Sequence, residues 1–221
     1  NEVNNLMGIK YNSYWGYQDG KKRNSRDKDV EEPILMLSHF WKMSDKTTLT
    51  TNVAYQTGSI GNSRLDYQTA NSPDPTYYKN LPSYFSNLGD TAGANAAQNY
   101  ILNNSQINWN AMYYANQFSS VDQQGINKSV YALYEDRTDD KQFTANSILF
   151  SDLSDNVKLN AGASFKKLKS HNFQHMLDLL GGQYFEDIDP FYSGEQTQSD
   201  LNNPNRQIKV GDEYGYNYNL N

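Results

Sequence analysis

The chain has 221 residues, a net charge of −6 and no cysteine, and 37% of its residues are hydrophobic. No stretch approaches the roughly 18 consecutive apolar residues of a transmembrane helix, which excludes a helical span. The acidic balance argues against nucleic acid as a partner, because Lys and Arg side chains must neutralise its phosphates.

Three segments near the N-terminus alternate apolar and polar residues and are predicted to be β-strands. The segments are residues 6–18, 34–43 and 48–57, and their period of two gives each strand two different faces. Residues 19–32 are highly charged, and we interpret them as a solvated loop; a patch for phosphate or lipid headgroups is the alternative. Residues 44–46 are predicted to form a short turn.

The alternation stops after Gly58 and returns at Val130, which predicts a long loop over residues 58–129. Interruptions of this length in a strand-built protein are usually functional. Within the loop, residues 90–104 are rich in Ala and Asn and predict a short helix, and residues 107–114 predict a second one.

Residues 130–153 predict one long, bent strand, with a hairpin turn at residues 138–141 as the alternative. A polar turn at residues 154–156 then leads into a strand with one apolar and one polar face. The apolar face carries Val157, Leu159, Ala161, Ala163 and Phe165, and the polar face carries Lys158, Asn160, Gly162, Ser164 and Lys166.

The connections alternate between short and long, as they do in outer-membrane barrels with tight periplasmic turns and long extracellular loops. The second long loop is predicted at residues 170–206, and a last strand begins at residue 207. We therefore predict an all-β fold, with about six antiparallel strands of a transmembrane β-barrel. Because a single-chain barrel needs at least about eight strands, we expect the chain to be a piece of a larger polypeptide.

A soluble secreted β-sandwich that binds glycans or surfaces is the alternative fold, with the apolar strand faces turned inward. Lys158 and Lys166 share one face of one strand. On a lipid-facing surface each would cost roughly 2–4 kcal/mol at the bilayer midplane, whereas a barrel lumen or bulk water accepts both. The lysines therefore fix which face would be turned to lipid but do not separate the two folds.

Three segments resemble barrel segments of TonB-dependent outer-membrane receptors of Bacteroidetes: residues 15–26 (WGYQDGKKRNSR), 73–85 (PDPTYYKNLPSYF) and 176–182 (MLDLLGG). The resemblance extends over most of the chain. It implies a barrel of about 22 strands in the cell outer membrane, plugged by an N-terminal domain. Residues 1–221 would be part of that one barrel domain, and the plug would lie outside this chain.

The same resemblance implies the activity and the partners. Such receptors import a nutrient ligand with energy from the inner-membrane TonB complex, which acts through the plug. The implied partners are outer-membrane lipid, the TonB complex, a surface lipoprotein and a small ligand whose identity the sequence does not give.

Aromatic residues in the first long loop are the candidate ligand-binding residues, because rigid aromatic faces supply stacking area for a ligand. Packing of the loop against itself is the alternative. The candidates are Tyr77, Tyr78, Tyr84, Phe85, Trp109, Tyr113 and Tyr114.

No sequence motif indicates an enzyme, a cofactor or a metal site. His171 and His175 have the spacing of a zinc pair, but a zinc hydrolase needs Glu where Asn172 stands, so we interpret both as loop histidines. The acidic residues at 186–189 are not followed by a calcium-binding pattern and are predicted to be solvated. His39 alternates with apolar residues and is predicted to be a packed strand residue.

Overall fold

A computed structural model describes residues 2–118, 121 and 124–220 and shows a mostly β, antiparallel fold. The strands are β1 (Trp15–Gln18), β2 (Lys21–Asn24), β3 (Lys28–Glu31), β4 (Ile34–Ser44), β5 (Thr47–Asp66), β6 (Ala132–Ser154), β7 (Val157–Asp178), β8 (Phe185–Glu186), β9 (Gln207–Ile208) and β10 (Glu213–Leu220). The helices are α1 (Glu2–Met7), α2 (Pro82–Asn87), α3 (Thr91–Asn103) and α4 (Trp109–Phe118), with 3₁₀ turns at Tyr78–Asn80 and Gly194–Thr197.

A six-stranded sheet has the order β10-β7-β6-β5-β3, and β4 pairs with β5 next to β3; β1–β2 and β8–β9 are small separate pairs. The chain divides into two compact units. The loop unit comprises Asn1–Asp27, Asn62–Glu135 and Gln174–Gly215, and the strand unit comprises Lys28–Gly61, Asp136–Phe173 and Tyr216–Asn221.

In the strand unit, one face is free of Lys, Arg, Asp and Glu over a segment of each of four neighbouring strands: residues 35–41, 49–55, 143–151 and 157–165. The register places Leu37 opposite Val53 across β4 and β5, and residues directly opposite share a face. The Thr51 and Ser147 hydroxyls are 2.9 Å apart, so these residues of β5 and β6 lie on the same face. The ring centroids of Phe143 and Phe165 are 6.2 Å apart, so these residues of β6 and β7 also share this face.

This apolar face alternates strictly along each strand. It consists of Leu35, Leu37, His39 and Trp41 of β4; Leu49, Thr51, Val53 and Tyr55 of β5; Phe143, Ala145, Ser147, Leu149 and Ser151 of β6; and Val157, Leu159, Ala161, Ala163 and Phe165 of β7.

The opposite face carries all the charged residues of these strand segments. Lys158 lies 3.8 Å from Asp152 on that face, and Lys42 and Lys166 occupy positions of the same parity on β4 and β7. In the described part of the strand unit this face is open to solvent, and Leu35 is 76% exposed. Among the described residues, both clusters of buried hydrophobic side chains lie in the loop unit.

The core of the loop unit packs one end of β6 and one end of β7 against residues of the connections between the long strands. One cluster holds Ala132, Met176, Leu179, Phe185, Ile208 and Tyr214, and the other holds Ile107, Trp109, Met112, Leu133 and Leu180. Asn116 of α4 is fully buried beside them. Its amide donates to the carbonyls of Tyr131, Leu179 and Leu180 and accepts from the N–H groups of Val130 and Tyr131. This one side chain therefore fixes α4 against two separate chain segments.

Several predicted elements are confirmed. The turn at residues 44–46 joins β4 and β5, and α3 and α4 lie where the two helices were expected. Residues 132–154 form one strand without a hairpin turn at 138–141, and the turn at 154–156 leads into β7.

The first predicted strand is wrong. Residues 2–7 form α1, and of residues 6–18 only 15–18 are extended. The charged residues 19–32 are not a solvated loop: they hold β2 and β3, and β2 pairs with β1 across the turn at Asp19 and Gly20. Tyr11 donates its hydroxyl hydrogen to the Ser105 carbonyl, so tertiary contacts override the apparent strand alternation here.

The predicted long loops start too early. β5 continues past Gly58 to Asp66, and β7 continues past residue 170 to Asp178, so the connections are shorter than 58–129 and 170–206. Gly58 is needed inside the strand, because a Cβ there would lie 2.1 Å from the backbone oxygen of Glu31 on β3. Residues 119, 120, 122 and 123 of the first loop lie outside the described residues. The last strand begins at Glu213, after the short β9.

Candidate functional site

Arg23 of β2 is the centre of a half-buried polar network in the loop unit. Its guanidinium lies 2.6 Å from an Asp178 carboxylate oxygen, donates to the Gln18 side chain and covers the Trp109 ring at 4.3 Å. Tyr113 donates to the same carboxylate at 3.2 Å. Trp109 has no exposed surface, so both Trp109 and Tyr113, two candidate ligand-binding residues, pack the loop unit internally.

Four other candidate aromatics form a chain of ring contacts. Tyr77, Tyr78, Tyr84 and Phe85 follow one another with ring centroids 4.8, 5.8 and 5.4 Å apart. The seventh candidate, Tyr114, is separate and lies 4.9 Å from the Phe118 ring. The structure therefore gathers four of the seven candidates, and one of those, Tyr77, also lines a cavity.

Two adjoining cavities in the loop unit form the candidate site, which we call the charged groove. Their volumes are about 340 and 310 Å³, and both are lined by Leu65, Tyr67 and Tyr134. The first, the acidic cavity, also has Asp66, Gln68, Gln174, Phe185, Asp187, Ile188, Asp189, Pro190, Phe191, Ser199 and Tyr214 in its wall. The second, the arginine cavity, also has Tyr14, Ser25, Arg26, Arg64, Ser72, Pro73, Asp74, Tyr77 and Ile107.

Three carboxylates line the acidic cavity, and each accepts a backbone N–H. Asp66, the last residue of β5, accepts from Gln68 at 3.0 Å, and Asp189 accepts from Phe191 at 2.9 Å. Asp187 is only 7% exposed, and its contact is a long 3.3 Å hydrogen bond from the Gly215 N–H. In the part of the chain that the structure describes, none of the three has a Lys, Arg or His within ion-pair distance.

Burial raises the pKa of Asp66 above its ordinary value, because the cavity wall removes water from the ionised carboxylate. Backbone hydrogen bonds from Gln68 and Tyr67 oppose this shift, and the negative charges of Asp189 and Asp187 reinforce it. The cavity is therefore an environment of uncompensated negative charge.

The hydroxyl of Ser63 holds one wall of the arginine cavity in place through two hydrogen bonds. Ser63 of β5 donates its hydroxyl to the Ser25 carbonyl at 3.1 Å and accepts from the Asp27 N–H at 2.7 Å, which holds the segment after β2 beside β5. Arg26 and Arg64 both line this cavity, and the Arg26 guanidinium stacks over the Tyr14 ring at 4.1 Å.

Asp74, the one acid in this cavity wall among the described residues, is engaged in its own turn. One of its carboxylate oxygens accepts both the N–H and the hydroxyl of Thr76, at 2.8 Å each. Two arginines and one aspartate therefore line this cavity.

The sequence predicted that the acidic segment 186–189 is solvated, and this prediction is wrong. Glu186 forms an ion pair with Lys128, Asp187 is buried, and Asp189 lines the cavity. One feature of the sequence could have indicated this burial: Phe185 stands immediately before the acidic residues, and it anchors the segment in the core.

The histidine predictions also need correction. His171 and His175 lie on β7 rather than in a loop; His171 stacks 4.4 Å from Phe173, and His175 lies 3.1 Å from a Glu135 oxygen. Four residues of strand separate them by about 13 Å, too far for one shared metal ion. His39 is exposed on β4 rather than packed. No cluster of three potential metal ligands occurs within the described ranges.

A scan against protein-family models finds no match, and a search of curated proteins finds no significant similarity to this chain. None of the helices in the described parts of the chain is both long enough and apolar enough to cross a membrane.

Proposed function

We propose that the strand unit belongs to a transmembrane β-barrel of the outer membrane, and that the chain is a segment of a TonB-dependent receptor that imports a nutrient ligand. One observation carries the proposal: the apolar face extends over segments of four strands without an acidic or basic side chain, and in the described part of the strand unit its large side chains are exposed. The proposed membrane-spanning segments are residues 34–44, 47–57, 142–154 and 157–166.

The energetics favour lipid as the cover of this face. Each large apolar side chain gains about 1.5–3 kcal/mol when it is moved from water into an apolar medium. The charged residues Lys42, Asp152, Lys158 and Lys166 are all on the other face, which would be turned to the lumen. A sheet that spans a bilayer needs this separation, because a lipid-facing Lys costs roughly 2–4 kcal/mol at the midplane.

The loop unit supports a receptor rather than a purely structural barrel. Both long connections, from β5 to β6 and from β7 to β10, contribute to it, and they share its core and the charged groove. Long connections gathered at one end of a barrel are the extracellular loops of outer-membrane proteins, and these loops contact ligand.

Two adjacent positions on β7 test the orientation. Single variants Ala161→Cys and Gly162→Cys, labelled with an environment-sensitive fluorophore, are placed in vesicles whose acyl chains carry a quencher. We expect strong quenching at 161 and little at 162, because successive strand side chains point to opposite faces. Position 162 accepts a side chain, since a Cβ there meets only ordinary contacts at 3.5 Å or more.

Equal quenching at both positions, or none at either, would contradict the barrel. A protein that stays in solution without detergent and shows neither site near lipid would instead support the secreted β-sandwich, in which the apolar face packs against a second sheet.

A further inference from the structure

We propose that α1 is a hinged flap on the loop unit, and that Glu2 holds it closed by capping the N-terminus of α2. The flap contributes Val3 and Asn4 to the wall of a cavity of about 610 Å³, so its position controls access to that cavity. The proposal concerns the loop unit alone and does not depend on the barrel.

Both oxygens of the Glu2 carboxylate bind Ser83 of α2. One oxygen accepts the backbone N–H of Ser83 at 2.8 Å, and the other accepts its hydroxyl hydrogen. In the described part of the chain, no other side chain of α1 forms a hydrogen bond. The hydrogen-bonded link between α1 and α2 therefore depends on Glu2.

The N-terminus of α2 has no cap of its own. Its N-cap residue, Leu81, has no side-chain oxygen, and Pro82 at the first helical position has no N–H. The Ser83 N–H is therefore the first donor of α2 that needs a partner outside the helix. A carboxylate is a favoured acceptor there, because it also interacts with the positive end of the helix dipole. Glu2 supplies from another helix the cap that residue 81 cannot provide.

α1 has little else to keep it in the closed position. It has six residues, of which none is buried, and helices this short are marginal in water on their own. Gly8 ends the helix with a φ of +85° and donates its N–H to the Asn4 carbonyl at 2.9 Å. A Cβ added at Gly8 would meet no atom of the described chain within 4 Å, and Ile9 is 85% exposed. The connection that follows α1 is therefore an open, exposed hinge.

The chain beyond this hinge is anchored. Tyr11 donates its hydroxyl hydrogen to the Ser105 carbonyl, and Ser13 is buried. Tyr11 and Leu81 line the same cavity as Val3. One part of the cavity wall is therefore fixed to the loop unit, and the part that α1 contributes can move about the hinge.

Hydrogen exchange at the Gly8 amide tests the flap, because this N–H closes the last turn of α1 and is six residues from Glu2 in the sequence. In the full chain in detergent, we expect Glu2→Ala to make this amide exchange about tenfold faster, since two hydrogen bonds to a charged group are lost. Alanine is the best helix former, so weaker helix propensity cannot explain an increase. If the Ser83 amide alone exchanges faster, or neither amide does, the flap is overturned.

Asn5→Ala is the matched control. Asn5 is exposed on the same helix, forms no side-chain hydrogen bond in the described part of the chain, and gains the same helix propensity on substitution. We expect exchange at Gly8 to be unchanged or slower in this variant. An increase as large as that of Glu2→Ala would show that the substitution of any α1 side chain opens the helix, and that Glu2 does not hold it closed.

A single thiol tests whether α1 leaves the cavity wall. The chain has no cysteine, so Val3→Cys introduces its one reactive thiol. We expect a maleimide to label this thiol about twofold faster or more when Glu2→Ala is combined with it, because local opening exposes a half-buried side chain. Equal labelling rates in the two backgrounds would overturn the proposal. Because both measurements concern the loop unit, their failure leaves the fluorescence test of the barrel unaffected.

Discussion

Asn116 shows how one side chain can determine the position of a whole helix. The residue is buried, and its amide bonds to three carbonyls and two N–H groups of two separate chain segments. Because the exchange involves both the donor and the acceptor ends of the amide, neither a shorter nor an apolar side chain can replace it.

We predict that Asn116→Ala strongly destabilises the loop unit. Each buried group left without a partner costs about 1–3 kcal/mol, and several groups are affected together. Thermal unfolding should show a clearly lower midpoint, and amide exchange should rise first at Val130 and Tyr131. Asn95→Ala, on the exposed side of α3, is the control and should leave the midpoint nearly unchanged.

Asp66 makes the stability of the loop unit dependent on pH. Its folded-state pKa is raised by burial, with Asp189 and Asp187 adding to the shift. Between the unfolded carboxyl pKa and this raised value the folded state binds more protons, so stability falls as pH rises through that window. At neutral pH the ionised carboxylate therefore imposes its full cost.

We predict that Asp66→Asn raises the unfolding midpoint at pH 7 and that this gain disappears in acid, below the unfolded carboxyl pKa of about 3.9. The amide oxygen can still accept the Gln68 N–H, so the backbone turn is retained. Unfolding midpoints measured across the pH range check this. A gain that stays constant from acid to neutral pH would show that the charge of Asp66 is not responsible.

At the scale of elements, glycine has opposite roles in two strands. Gly58 of β5 has the backbone of Glu31 and Glu32 so close that a Cβ would lie 2.1 Å from an oxygen and 2.7 Å from a Cα. Gly162 of β7 has only ordinary contacts at 3.5 Å and beyond. In the sequence, Gly58 ends one alternating segment and Gly162 lies within another, so the alternation does not reveal which glycine is required.

We predict that Gly58→Ala destabilises the sheet by about 1–3 kcal/mol, because the backbone of β3 must move to admit the methyl group. Gly162→Ala is the matched control and should be neutral or stabilise by up to about 1 kcal/mol, since alanine loses less backbone entropy on folding than glycine does. Denaturant unfolding of both variants checks the contrast. Similar losses in both would mean that glycine flexibility, rather than the close approach of β3, matters.

The strands were predictable where a local pattern governs them. The alternation after Asn156 and the polar turns at 44–46 and 154–156 correspond directly to β7 and to the hairpins. The sequence failed where tertiary pairing governs, as at Gly58, where a residue that usually ends a strand is required inside one by a neighbouring strand.

The charged groove was not predictable from local patterns. Its charges come from positions 26, 64, 66, 187 and 189, which only the folded loop unit brings together. The sequence directed attention to aromatic residues instead, and of those Tyr77 lines the groove while Trp109 and Tyr113 pack inside. Aromatic composition alone cannot separate a ligand wall from a core.

At the scale of the whole molecule, the unpaired edge of β4 affects how the chain behaves in water. Within the described residues it pairs with β5 along one side only, and Ile34, Met36 and Phe40 are exposed on the face that otherwise carries the charges. A long strand with a free hydrogen-bonding edge and apolar side chains on both faces is a template for joining other chains edge to edge. In water the isolated chain should therefore assemble into β-rich aggregates that start from residues 34–44, and detergent should be present from the first step of refolding.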